Sequence, residues 1–410
     1  MNIGPIIRAM NHNRTRVVLI VLEIAMTLAI VTNCVNVILA ERTRMSRKSG
    51  FDDANIVRMN VRPFSKEFQD PAFINNVIDA DLRTIGAVSG VRAVVNTHFE
   101  LWEGGGSSTG VAVWGAKSDI PTQIYYGTKD FVQALGAKIV MGRAFNDSDF
   151  TTSDPDAQPD KVIISKSVAD LLFHGENPLG KVITEDLNRP DATPLTVIGV
   201  IEEFYNPFGR VNDPAAYSDR AILLPARVGG YDRGMAYLIR CEPGAMNSVV
   251  AEVEKRLTAA NSGRVFEFKT VADKKAGHFA SSKLVVTTMT CIIVALIVVT
   301  TLGLLGLTSL SVTERTKQIG TRRALGATRG DILRHFLLEN WLVTTAGLIL
   351  GVAGAYALDF LLVSHVSDVK MQWQLVAGGM LLLWLNGLLS TVPPAMRAMM
   401  VPPSIATRSV

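Results

Sequence analysis

The chain has 410 residues, 48% of them apolar, with 41 Lys and Arg against 37 Asp and Glu for a formal net charge of +4. That near balance carries no footprint of nucleic-acid binding, and Cys34, Cys241 and Cys291 offer neither a disulfide framework nor a metal-ligand spacing. A soluble fold would scatter its apolar residues at a strand or helix period. Here they gather into uninterrupted blocks long enough to cross a bilayer.

Residues 1–16 carry Arg8, Arg14 and Arg16 with no acid, and Ile3, Ile6, Ile7 and Met10 share one helical face. This predicts an amphipathic helix on the cytoplasmic surface, in contact with membrane lipids. A first span follows at 17–40. It is too long for a signal peptide and lacks a small-residue cleavage site, so it is expected to remain as an anchor. Glu23 lies one or two turns inside it, where a carboxylate costs a few kcal/mol. An interface position, a helix-to-helix hydrogen bond and a proton relay compete for it, in that order. Asn33 and Asn36 read as interhelical contacts rather than substrate ligands.

Residues 41–282 are polar and globular. The stretch E-R-T-R-M-S-R-K after the first span puts four basic residues on what is read as the outside, against the positive-inside rule. Opposing it are Arg8, Arg14 and Arg16, together with a later loop holding Arg315, Lys317, Arg322, Arg323, Arg329 and Arg334. Because a large domain translocates largely regardless of charge, both termini are expected inside. The outer region begins as a strand (55–61), a helix (71–85) and two strands (91–100 and 110–115), a βαββ unit. It ends as a strand (235–241), an amphipathic helix (245–260) and a strand (265–270). The two ends are expected to close into one α/β domain (50–118 and 230–275) around an insert at 119–229.

Gly175 to Lys181, G-E-N-P-L-G-K, fits the start of a phosphate-binding loop, but Val182 stands where the magnesium-holding Ser or Thr belongs. The helix precedes it and the strand follows, the reverse of what a phosphate cradle needs. It reads as a turn, and G-G-G-S-S-T-G at 104–110 as a hairpin tip. His98, His174 and His278 are scattered, and no nucleophile elbow, zinc-helix or paired-carboxylate pattern appears. No catalytic site, metal site or bound cofactor is expected.

The second span is placed at 283–312, prolonged outward as a stalk helix from Lys274. A basic polar segment occupies 313–337. The third span, 338–363, carries Gly347, Gly351 and Ala355 on one small-residue face, suited to packing within the subunit or to a dimer seam, with a lean to the former. A short outer loop (364–372), a fourth span (373–392) and a cytoplasmic tail (393–410) complete the chain. Trp341 and Trp373 sit where interfacial anchors belong. The fold class expected is an α-helical polytopic membrane protein with four transmembrane helices and a large extracytoplasmic α/β (α+β) domain between the first two.

The polar segment reads T-E-R-T-K-Q-I-G-T-R-R-A-L-G-A-T-R-G-D-I-L-R-H-F-L-L from Thr313 to Leu338. Glu314 is placed to meet Lys317 and Gln318 within a brief helix. Gly326 supplies a stop, and Thr328 with Asp331 makes a capping-box start for a second helix. Charge alone would suit an ordinary loop held by lipid headgroups. The wording of the segment resembles the signature of MacB/FtsX-like ABC transporter permeases, where it contains the helix that docks on the ATPase. F-V-Q-A-L-G-A-K-I-V-M-G-R-A-F, K-V-I-I-S-K-S-V-A-D-L-L-F and P-L-T-V-I-G-V-I-E-E-F resemble lines of the family's periplasmic domain. The ending P-A-M-R-A is also similar, although Val401-Pro402 replaces the usual acid-proline pair, so contacts made by that acid do not carry over.

The resemblance implies a permease subunit of the bacterial inner membrane, working as a dimer with an identical copy or a paralogue. It implies two copies of a separate ATPase that bind ATP and magnesium. It makes the closing domain porter-like and the insert sabre-like, and it makes mechanotransmission the mode of action. Glu314, Arg315, Lys317, Ile319, Gly320, Arg322, Arg323, Leu325 and Gly326 are then the coupling residues. Export of drugs, peptides or other amphiphiles, with a periplasmic adaptor and an outer-membrane channel, ranks first. Lipoprotein release and activation of cell-wall hydrolases rank after it.

Overall fold

The computed structural model describes residues 14–102, 107–150, 159–185, 193–207, 217–230, 234–365 and 371–402. The amphipathic helix expected at 1–16 therefore lies almost wholly outside the described residues, as do most of the loop after the third span and the end of the tail. The chain divides into two compact units, Arg47–Ala280 and the pair Met1–Ser46 with Ser281–Val410.

The second unit is built on four helices long and apolar enough to cross a membrane: α1 (Arg14–Ser46), α7 (Ala280–Glu314), α9 (Arg329–His365) and α10 (Trp373–Met399). Small residues set how closely they approach. A Cβ on Gly347 would lie 2.9 Å from Ile24 Cβ, and one on Gly351 would lie 3.0 Å from the Ala25 carbonyl oxygen. Ala355 continues the seam, buried beside Ala29. The small-residue face thus packs within the chain, against α1. Asn33 Nδ2 adds hydrogen bonds to the Ala29 carbonyl at 2.8 Å and across to the Ala355 carbonyl at 3.1 Å. Asn36 is buried on the same helix. The Glu23 carboxylate lies against α7, where a Cβ on Gly303 would come within 2.6 Å of Oε1. Thr27 and Thr300 join the same two helices at 2.9 Å.

Two boundaries differ from the sequence reading. Helix α10 does not stop at 392 but runs through Pro393 and Pro394 to Met399, because Pro394, Ala395 and Ala398 are buried on its inner side. The stalk expected from Lys274 is interrupted: α6 (Val271–His278) ends at Phe279 before α7 begins.

The other unit contains two sheets. The first is antiparallel, in the order β10 (Gly229–Gly230), β11 (Gly234–Cys241), β1 (Ile56–Pro63), β12 (Arg264–Thr270), with β2 (Val91–Asn96) also on β11. Helices α2 (Pro71–Gly86) and α5 (Met246–Ala260) pack on it. Ile74, Ile78 and Ile85 of α2, and Val249, Val253 and Leu257 of α5, meet Val57, Met59 and Val61 of β1. These spacings of three to four against two are the periods of one helix face and one strand face. Asp70 caps α2 by accepting from the Ala72 N–H at 3.0 Å, with Pro71 opening the helix.

The second sheet holds β3 (Ser107–Val113), β4 (Ile120–Gly127), β5 (Ile139–Gly142), β6 (Lys161–Ser165), β7 (Val182–Glu185), β8 (Pro194–Ile201) and β9 (Ala221–Pro225). Its order is β5-β8-β6-β9-β4-β3-β7, and β7 pairs back to β8. Six strands thereby close into a small barrel around Val111, Ile164 and Leu224, and β5 extends the far half of β8. The strand read as the last of a βαββ unit thus belongs to the barrel. It begins at Ser107, so Ser107 to Gly110 form ladder with β4 rather than a hairpin tip. Two short helices, α3 (Phe131–Leu135) and α4 (Lys166–Phe173), belong to this unit, and the turn at 175–181 lies between α4 and β7, with Gly175 and Gly180 at positive φ.

One buried ion pair ties the first sheet to α2. Arg264 on β12 meets Asp81 on α2 at 2.5 and 2.7 Å, and the Tyr237 hydroxyl donates to the same carboxylate at 2.9 Å. Burial, reinforced by the Asp81 charge, raises the Tyr237 pKa and holds the hydroxyl protonated. Asp81→Ala would strand the Arg264 charge in the core and is expected to cost about 3–5 kcal/mol. Thermal or urea unfolding of the purified chain checks this, and a joint Asp81→Leu, Arg264→Met replacement should recover most of the loss.

Candidate functional site

The polar segment between the second and third spans folds back on the helix ends. Glu314 closes α7, Arg315 interrupts the helix at φ −97° and ψ 8°, and α8 runs Thr316–Ala324. Its inner face is set by Ile319, 4% exposed, in a cluster with Val312 of α7, Ile332 and Phe336 of α9, and Ala395 and Ala398 of α10. Gly320 is buried beside it. On the other side Lys317, Gln318, Thr321 and Arg322 face solvent.

At the turn after α8, Leu325 is 84% exposed, the most exposed large apolar side chain described. Gly326 follows at φ +98°, a left-handed conformation that only glycine adopts cheaply. The next helix is capped reciprocally. The Thr328 N–H donates to Asp331 Oδ2 at 3.0 Å, and the Asp331 N–H donates to Thr328 Oγ1 at 3.2 Å.

Three charged residues of this segment face the membrane unit instead of solvent partners. Glu314 does not meet Lys317 or Gln318; as the last residue of α7 it accepts two hydrogen bonds from Arg16 of α1, each 3.0 Å. Arg315 pairs with Glu339 of α9 at 2.9 and 3.1 Å. Arg323 donates to the Met399 carbonyl at 3.2 Å and to that of Val401, satisfying the open C-terminal end of α10. The sequence reading missed Arg16, Glu339 and the end of α10 as parts of this assembly. Ala395 and Ala398, three apart on one helix face, were the signal available for the last of these.

The structure therefore divides the nine residues read as coupling. Lys317, Arg322, Leu325 and Gly326 are presented outward. Ile319 and Gly320 seat the helix. Glu314, Arg315 and Arg323 fasten it. Glu23, Asn33, Asn36, Gly347, Gly351 and Ala355 lie within the spans and are not part of this surface. The arrangement offers no nucleophile and no acid–base pair. Chemically it is a rigid basic surface with one apolar projection, mounted on three spans.

Residues 19–257 match the model of the MacB-like periplasmic core domain, and residues 290–403, which include this whole segment, match that of the FtsX-like permease C-terminal region. The chain belongs to the MacB/FtsX-like ABC transporter permease family. Among its relatives, the permease is 30% identical over 269 residues to a macrolide export ATP-binding/permease protein MacB of Neisseria gonorrhoeae, covering 65% of this chain and 40% of that protein. The permease thus spans well under half the length of that relative. It is 29% identical over 297 residues to the uncharacterized ABC transporter permease YknZ of Bacillus subtilis, covering 68% of each. Of solved structures, the periplasmic region of MacB from Actinobacillus actinomycetemcomitans aligns to 57% of this chain and 97% of its own at 18% identity. Its TM-score of 0.35 is too low to bear on function.

The cap and stop of the permease segment can be tested directly. Thr328→Ala removes the hydroxyl arm of the cap and is expected to cost about 1 kcal/mol locally. Trypsin cleavage at Arg322 and Arg323 in the folded protein should then quicken by about fivefold, since cleavage follows the population of the opened turn. Unchanged cleavage would show that the capping box does not hold this turn.

Proposed function

We propose that this permease passes ATP-driven motion from a separate ABC ATPase subunit to its extracytoplasmic domain, with the polar segment on the cytoplasmic side as the docking surface. The observation that carries this reading is Leu325, an apolar side chain held out in solvent beside Arg322, on a helix whose opposite face is buried against α7, α9 and α10. A monomeric surface gains nothing from such a residue, whereas burying it in a partner's pocket is worth about 1.5–3 kcal/mol. Arg322 makes no ion pair with another described residue and is available to an acidic partner surface.

A second permease copy, or a paralogue, completes the membrane assembly. Helix α7 supports this: only 11% of its most apolar window is buried, against 50% for α1, so most of its surface is left for lipid or another helix. ATP and magnesium belong to the ATPase. The macrolide-export name of the Neisseria relative favours export of amphiphiles over lipoprotein release. A periplasmic adaptor and an outer-membrane channel are the further partners such export would call for.

The test uses the permease co-expressed with its ATPase, sought first among neighbouring reading frames. Leu325→Asp and Arg322→Glu should each cut ATPase co-purification by about tenfold or more and abolish transport, while membrane insertion stays intact. Arg323→Glu should instead lower the melting temperature, because its partners are the permease's own carbonyls. Survival of both co-purification and transport in the Leu325→Asp, Arg322→Glu double variant sinks the proposal.

A further inference from the structure

A cavity of about 50 Å³ lies between α1, α7 and α9, at the end of the spans that bears α8. Val17, Ile20, Leu307 and Val343 form its apolar wall. Arg16 and Arg315 close it where the spans give way to charge, with Ser311 and Asn340 alongside. Glu339 also lines it, its charge offset by Arg315 at 2.9 Å.

Arg16 is only half engaged. Its Nη2 meets Glu314, whose side chain is 56% exposed and so lies toward solvent. Its Nη1 is buried and has no hydrogen-bond partner among the described residues. A buried charged donor left unpaired is costly, and its best partner is an anionic oxygen. The setting selects the source of that oxygen. An apolar wall meeting a guanidinium at the end of a span is the boundary between acyl chains and headgroups, and anionic lipids are drawn to basic segments there. The volume suits one phosphate-sized group, with the tails left in the surrounding bilayer.

We propose that this cavity is a binding site for the phosphate of an anionic phospholipid, held by Arg16 beside the two ion pairs that fasten α8. A lipid seated there joins α1, α7 and α9 at the base of the polar helix. The site does not depend on the identity of the ATPase or the cargo.

Native mass spectrometry of the full chain, with phosphatidylglycerol or phosphatidylcholine supplied in detergent, tests it. The wild-type chain should retain one phosphatidylglycerol at least about tenfold better than phosphatidylcholine, whose phosphate is the same but whose trimethylammonium would be brought against Arg16 and Arg315. Arg16→Gln should abolish the preference. Arg329→Gln, an exposed arginine outside the cavity, should keep it. Glu314→Gln, which breaks the ion pair but leaves Nη1 in place, should keep it too, separating loss of the site from loss of the pair. Phosphatidylglycerol should also raise the melting temperature where inorganic phosphate at equal concentration does not. Equal retention of the two lipids, equal loss in Arg16→Gln and Arg329→Gln, or full replacement of the lipid effect by inorganic phosphate would each overturn the site.

Discussion

Ile319 is the side chain on which the assembly turns. A nine-residue helix with three arginines and lysines has no reason to hold a fixed place at a membrane surface through its own propensity, since isolated helices of that length are marginal. It is fixed because one face presents Ile319 and Gly320 to a hollow formed by three separate helix ends. Everything outward-facing follows from that seating. With Ile319 seated, Lys317, Gln318, Thr321 and Arg322 are left exposed along the helix, Leu325 projects after it, and Gly326 turns the chain into the third span.

Hydrophobic seating fixes position but not rotation, which is where the charges enter. Arg16–Glu314 ties the start of the segment to α1, Arg315–Glu339 ties it to α9, and Arg323 ties its end to α10. Each of these contacts is partly screened and individually modest. Their value lies in number and direction: three tethers to three different spans leave a short helix little freedom to roll. Leu325 is therefore carried on a helix tied to three other spans instead of on a loose loop. Behind them the spans themselves are in close register, because Gly347 and Gly351 let α9 approach the backbone of α1.

Much of this was legible in the sequence, for identifiable reasons. Four spans follow from apolar run length alone, and the Gly326 stop and Thr328–Asp331 cap follow from backbone chemistry that is local by nature. Glu314 was misread because its natural local partner, Lys317, is one turn away, whereas its actual partner lies on another span and is invisible to any spacing rule. Arg323 was assigned outward with its neighbour Arg322, though a helix rotates successive side chains by 100° and only packing decides which one meets α10. The strand at Ser107 was assigned to the wrong sheet for a similar reason. Its alternation reports that one face is buried, not which sheet supplies the partner. The fourth span was ended at 392, yet Pro393 and Pro394 lie inside the helix, where their missing N–H groups weaken it. The burial of Pro394, Ala395 and Ala398 outweighs that loss.

The same kind of fastening recurs in the other unit, around Trp102. Helix α6 ends at Phe279 and is held by Trp102 and its neighbours. Trp102 is 1% exposed and sits at φ +65°, a conformation a bulky residue adopts only when its surroundings enforce it. Its N–H donates to Asn206 at 2.8 Å and its indole N–H to Asp53 at 2.7 Å. Asp53 in turn pairs with Lys275 of α6 at 2.6 Å, and Lys274 pairs with Glu100 at 3.1 Å. Helix α6 is thus held by ion pairs on consecutive residues to the segments before β1 and after β2, with a strained tryptophan packed against Phe279 itself.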